Sequence, residues 1–191
     1  PLSWMIYLPL TLPAVGVAFF SFQLLSASGW LSRLAYHAGW IDAPTDFPGL
    51  VNDLWGVGII FAHTFMATPF LTLLFLNIYR NEKVAAYTDL ARSLGAGSFQ
   101  IFRRAVLPLI WWKALPTLLL YFIFVLSSYE IPLLLGRQHP QMISVLAISK
   151  LQRFNLMDIP QAYAVSVFYA FLILLFLGFW LTHLRKRGPT L

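Results

Sequence analysis

Residues able to do acid–base, nucleophilic or metal chemistry are few in this 191-residue chain, and they do not cluster in sequence. The four histidines, at positions 37, 63, 139 and 183, never share a helical turn. There is no cysteine, which excludes a disulfide framework, a thiolate metal site or a Cys nucleophile. No G-x-x-x-x-G-K-[ST] phosphate loop occurs; "GAGSFQ" offers only G-x-G, and it follows a helical pattern rather than a strand. Two groups stand apart. His63 lies deep in a long apolar stretch, where an ionisable side chain is either functional or a neutral imidazole hydrogen-bonded between helices. Glu130 closes another such stretch, directly after Ser127, Ser128 and Tyr129. It reads as a pathway or gate residue, as half of an ion pair with Arg137 or a partner, or as a plain boundary. An enzyme buried in a membrane needs clustered acids, histidines or a nucleophile on facing segments, and His63 and Glu130 alone do not supply them. No catalytic residue, metal ligand or cofactor is expected.

The elements that must position these groups follow from composition. Hydrophobic residues make up 59% of the chain and charged ones 10%, against about one quarter charged in a soluble domain. So little charge cannot cover a water-facing surface, and lipid must be the solvent for much of the chain. The net charge of +6 is concentrated at the ends of apolar stretches, which reads as membrane orientation rather than nucleic-acid binding. Four apolar runs are long enough to cross a bilayer: Met5 to Ala27, Leu54 to Tyr79, Ala105 to Tyr129, and Ile159 to Leu184. Pro9 and Pro13 fall in the first turns of the first run, where proline costs little or kinks the helix. The fold class expected is all-α, a polytopic transmembrane helix bundle of about four spans, forming one domain over 1–191. The chain opens with Pro1, without a basic leader or small-residue cleavage site, and reads as a fragment lacking an N-terminal span or spans.

Arg80, Lys83, Arg92, Arg103, Arg104 and Lys113, with Arg185, Lys186 and Arg187, place nine of thirteen Lys/Arg on one side of such a bundle. Lys113 does so by snorkelling. The connections 29–53 and 130–158 hold the other four, with five of the seven acids. The positive-inside bias then puts 80–104 and the C-terminus in the cytoplasm. Each outer connection carries a short amphipathic helix. One has Leu31, Leu34, Ala35 and Ala38 at helical spacing between Trp30 and Trp40; the other has a stripe of Ala147, Leu151 and Phe154.

The most polar piece is "TDLARSLGAGSFQIFRRAVLP", residues 88–108. It reads as helix, corner, helix. Thr88 caps a short helix whose Leu90, Ala91 and Leu94 form an apolar stripe, with Asp89 in its first turn. Gly95 provides a left-handed stop, and Ser98 caps the next helix, which leads back to Pro108. A short helix outside the membrane has too little core of its own, so its stripe must rest on this protein or on a partner.

This stretch resembles the cytoplasmic signature of binding-protein-dependent ABC importer permeases, E-A-A, three residues, G, nine residues, I-x-L-P. Asp89, Leu90 and Ala91 stand at the E-A-A positions, Gly95 at the glycine, and Leu107 and Pro108 at the closing pair; Leu90 and Ala105 depart from the pattern. "LPLTLPAVGVAF" and "YEIPLLLG" are similar to flanking segments of permeases for polyamines, iron and thiamine. The resemblance implies a transmembrane subunit of the type I importer kind, without an ATPase site. It would pair with a second permease subunit or half, take substrate from a periplasmic binding protein, and seat its loop helix on a cytoplasmic ATP-binding subunit in the bacterial inner membrane. Asp89, Leu90, Ala91, Leu94, Gly95, Leu107 and Pro108 would carry that coupling. His63, Ser127, Ser128 and Glu130 are the expected pathway residues. A secondary transporter or channel, the alternative, leaves the 88–108 spacing unexplained.

Overall fold

The computed structural model describes residues 7–153 and 155–185. Expectations placed on Pro1, Met5, Phe154, Lys186 and Arg187 fall outside these residues. Among the described residues there is no strand. Helices α1 (Ala14–Leu25), α2 (Trp30–His37), α3 (Val57–Asn81), α4 (Val84–Ser93), α5 (Ser98–Ile101), α6 (Leu107–Leu126), α7 (Glu130–Leu135), α8 (Ile143–Leu151) and α9 (Asp158–Arg185) follow one another. Four stretches are long and apolar enough to cross a membrane: 14–37, 57–81, 98–126 and 158–180. The fold is the all-α, four-span bundle expected.

Its boundaries differ from the expected ones for local reasons. The first helix starts at Ala14, not near Met5, because Pro9 sits in a 3-10 turn (Leu8–Thr11) and Pro13 caps α1 in an extended conformation. Twelve residues rise only about 18 Å, short of a bilayer core. The crossing candidate therefore includes α2, which the sequence had placed wholly outside. The third crossing starts earlier than Ala105: α5, a π-helical turn over Phe102–Val106 and α6 run on without a break from Ser98 to Leu126. In a regular α-helix the Pro108 ring would meet the carbonyl of Arg104, and the wider π turn lies immediately before it.

Val17 and Ala18 of α1, Ala62 of α3, and Ile131 and Leu135 of α7 form a buried cluster. Small residues at this crossing let the backbones approach closely. Gly58 of α3 also packs closely on the loop that precedes this helix: a Cβ there would lie 2.9 Å from the Leu50 carbonyl oxygen. The Asn52 N–H donates to the Leu135 carbonyl (2.9 Å), tying the loop before α3 to the end of α7. Both Asp53 carboxylate oxygens accept from the Val57 N–H at the α3 N-terminus, and one also accepts from the Trp55 N–H. Helix α9 packs on α8, and Lys150 and Arg153 both reach Asp158 at its start (3.7 and 3.8 Å). It meets α6 through Phe176 and Phe122 and through the Tyr169 hydroxyl, which donates to the Leu126 carbonyl at 2.8 Å. Large apolar side chains such as Phe19, Leu120, Phe168 and Phe179 remain on the outside, as a lipid solvent requires.

Candidate functional site

Two regions hold the residues singled out by the sequence. The first is the α4–α5 corner. Helix α4 starts at Val84, after Lys83 in a left-handed conformation (φ 49°), rather than at Thr88. Thr88 is therefore inside the helix, and its hydroxyl donates to the Ala85 carbonyl (2.6 Å) instead of capping. The sequence reading missed the earlier start because Lys83 is not a capping residue by type. Ser98 does not cap α5 either; Gly97 holds that position.

The end of α4 is as expected. Gly95 has φ +84°, its N–H donates to the Arg92 carbonyl (2.9 Å), and the Ala96 N–H donates to the Ala91 carbonyl (3.1 Å). This pair of bonds is the Schellman stop, which satisfies carbonyls that the helix leaves free. Nothing lies within 4 Å of a Cβ built on Gly95. Backbone conformation, not space, is what calls for glycine there.

Helix α4 has two faces. Val84 is fully buried and Thr88 and Ala91 are half-buried, so positions 84, 88 and 91 form the packed side of a helix that contacts α3, α5 and the π turn. About a quarter-turn away lie Tyr87, Leu90 and Leu94, at i, i+3 and i+7, with Leu90 61% and Leu94 81% exposed. Ala91 thus leaves the outer stripe to which the sequence assigned it, and Tyr87 joins it. The signal was in the spacing, which extends the stripe backward once the helix is known to start at Val84. Phe99 and Phe102, also exposed, follow beyond the corner. Asp89 stays exposed beside Arg92 (3.7 Å, i,i+3). Leu107 and Pro108 belong to the long helical rod rather than to this corner.

The second region is where α6 stops. Ser127 caps it, Ser128 and Tyr129 are outside any helix, and α7 begins at Glu130. The expected break is present but lies three residues before Pro132. Pro132 falls in the first turn of α7, where no amide hydrogen is needed. The break brings all four expected pathway residues to one cavity of about 290 Å³. His63 and Met66 of α3 and Phe124 of α6 form its walls with Ser127 to Ile131, and Ala14 closes it at the start of α1. His63 Nε2 is 3.1 Å from Ser128 Oγ, a hydrogen bond that ties α3 to the break after α6 across 65 residues of sequence. The Tyr121 hydroxyl donates to the His63 carbonyl at 3.5 Å and its ring stacks on Phe70. Ser127 Oγ turns back to the Ile123 carbonyl (2.9 Å).

Glu130 borders this cavity and remains exposed, with no ion pair among the described residues; Arg137 does not reach it. Asn77 accepts from Asn81, one turn on in α3. Among the described residues no three His, Cys, Asp or Glu side chains could hold a metal ion together.

Comparison with known proteins adds two findings. The sequence pattern of the family described as binding-protein-dependent transport system inner membrane component matches residues 1–187. A Sinorhizobium fredii protein described as a probable ABC transporter permease is 37% identical over 112 residues, 56% of this chain and 19% of that protein. The chain thus spans under a fifth of the length of that relative.

Proposed function

The chain belongs to the family of binding-protein-dependent transport system inner membrane components, and on that premise we propose that it is a permease subunit of an ATP-driven importer. In this reading the bundle forms part of the translocation pathway with a second permease subunit or half, and a periplasmic binding protein delivers the solute. The ATP-binding subunit is a separate cytoplasmic protein. It receives the outer face of α4, and the 80–104 segment and the C-terminus lie on its side of the membrane.

The observation that carries this reading is the Tyr87–Leu90–Leu94 face, apolar and uncovered, at a corner fixed by Gly95. A short helix keeps such side chains in water only at a cost, about 1.5–3 kcal/mol for each large side chain that a partner could bury. The packed face of Val84, Thr88 and Ala91 anchors the helix, so a push on the outer face is delivered to the rod that contains α6. A channel or secondary transporter has no use for that face.

The test is co-expression with the ATP-binding subunit encoded nearest to this gene, followed by purification in mild detergent. The subunit is expected to co-purify with the wild-type chain and to be lost from Leu94→Glu. Equal recovery with both, or with neither, would end the reading.

A further inference from the structure

We propose that the break between α1 and α2 is a binding site for one anionic phospholipid, an inference that goes beyond the transport reading and needs only that 14–37 crosses the bilayer. The helical path is interrupted over 26–29, where Ser26 and Gly29 are both extended. Gly29 is buried and holds the break tight: a Cβ there would lie 2.7 Å from the carbonyl oxygens of Gln23 and Ser26. Beside it opens a cavity of about 410 Å³, lined by Phe20, Gln23 and Leu24 of α1 with Ser28, Trp30 and Arg33. Part of that lining is apolar. Phe20 and Leu24 stand one turn apart on α1, and the Phe20 ring meets Phe65 of α3, with centroids 6.5 Å apart. A hydrocarbon chain fits such a surface. Trp30, 67% exposed, is the kind of residue that settles at the level of lipid headgroups.

Arg33 decides the sign of the ligand. Of the four Lys/Arg in the connections 29–53 and 130–158, Lys150 and Arg153 reach Asp158, whereas Arg33 meets no acid among the described residues. The Gln23 and Ser28 side chains likewise have no hydrogen-bond partner among the described residues, so the polar part of the lining is free to receive a headgroup. A guanidinium group takes a phosphodiester through two parallel N–H bonds. No Asp or Glu lines the cavity. A zwitterionic lipid would therefore bring its ammonium group to a place with no carboxylate to receive it, and a headgroup with net negative charge is preferred. A free phosphate could meet Arg33 but has no chain to cover Phe20 and Leu24. Basic pockets beside membrane-crossing helices hold anionic headgroups on the same physical grounds.

The experiment places the permease–ATPase complex in nanodiscs of phosphatidylcholine that hold a trace of phosphatidylglycerol with a photoreactive diazirine in its acyl chain. Cross-links are mapped by mass spectrometry, and a parallel sample carries the diazirine on phosphatidylcholine. The phosphatidylglycerol probe is expected to label 20–33 in excess over the exposed apolar face of α9 around Phe168, and the phosphatidylcholine probe to show no such excess. Soluble glycerol phosphate should leave the labelling unchanged, because it supplies the headgroup without the chain. Arg33→Gln should reduce the excess at least about tenfold, the scale of one lost charged contact, while Arg33→Lys retains part of it. Equal excess from the two probes would overturn the site, a comparison that needs no variant. So would displacement by glycerol phosphate, or wild-type labelling in Arg33→Gln. A break left unlabelled in the complex, as a partner subunit seated there would leave it, would also overturn the site.

Discussion

Lys113 of α6 reaches across to Glu82 at the C-terminal end of α3, with Nζ 2.9 Å from Oε1. An acid is poorly placed at a helix C-terminus, where the helix dipole is negative, and the ammonium group offsets this. Both side chains are partly in solvent, so the pair is expected to contribute only about 0.5–1 kcal/mol. A double-mutant cycle with Glu82→Gln and Lys113→Met, followed by denaturant unfolding in detergent, should return that coupling and show it shrinking as salt is raised. Zero coupling at low salt would mean that the contact does not join the two helices in solution.

Gly95→Asn should be tolerated and Gly95→Val should not. Asparagine enters the left-handed region at modest cost, whereas a β-branched residue loses roughly 1–2 kcal/mol there or moves the corner. Recovery of the ATP-binding subunit is the readout. It should stay near wild type for Gly95→Asn and fall for Gly95→Val, with the helical content of the purified chain unchanged in both.

Leu90→Glu and Leu94→Glu should separate folding from partnership. Both side chains are mostly exposed, so each substitution is expected to shift unfolding by no more than about 0.5 kcal/mol. ATP-binding-subunit recovery should nonetheless be lost. A large stability change in either variant would place the leucine inside the fold.

Tyr169→Phe removes the hydroxyl that donates to the Leu126 carbonyl at the end of α6. The loss is expected to be about 1 kcal/mol, and it should loosen the Ser127–Tyr129 break. In this naturally Cys-free chain, a cysteine placed at Ser127 can be labelled with a water-soluble thiol reagent. Labelling should be faster in the Tyr169→Phe background and should change on ATP turnover. A rate unaffected by both would separate Tyr169 from the cavity and the cavity from gating.

Local rules made the α4 corner readable, and distance in sequence hid the cavity. Gly95 could be assigned because a left-handed stop is a property of one residue and its neighbours. The start of α4 could not, because Lys83 enters a left-handed conformation that its side chain does not advertise. The long apolar runs gave the crossings, since lipid as solvent is legible from composition alone. Their ends shifted where prolines acted through backbone geometry: Pro13 set a late start for α1, and Pro132 was absorbed into the first turn of α7. His63 read either as functional or as a histidine bonded between helices, and it bonds to Ser128 in the break after α6. That the same bond stands beside Glu130 depends on how α3, α6 and α7 assemble, which no window of sequence contains.

The π turn over Phe102–Val106 preserves the phase between what lies below and above it. Each residue of an α-helix advances the azimuth by about 100°, and a π turn accommodates one residue more than the regular spiral does. The extra residue is thus absorbed locally, and the helix keeps the same phase on either side of the turn. Deleting a residue instead from the regular α-helical part of the rod, after Pro108, would keep the rod helical and its composition almost unchanged. It would also rotate the α4–α5 corner by roughly that angle against the rest of the bundle. The corner would then be intact but aimed elsewhere, like a key cut correctly and turned in its bow.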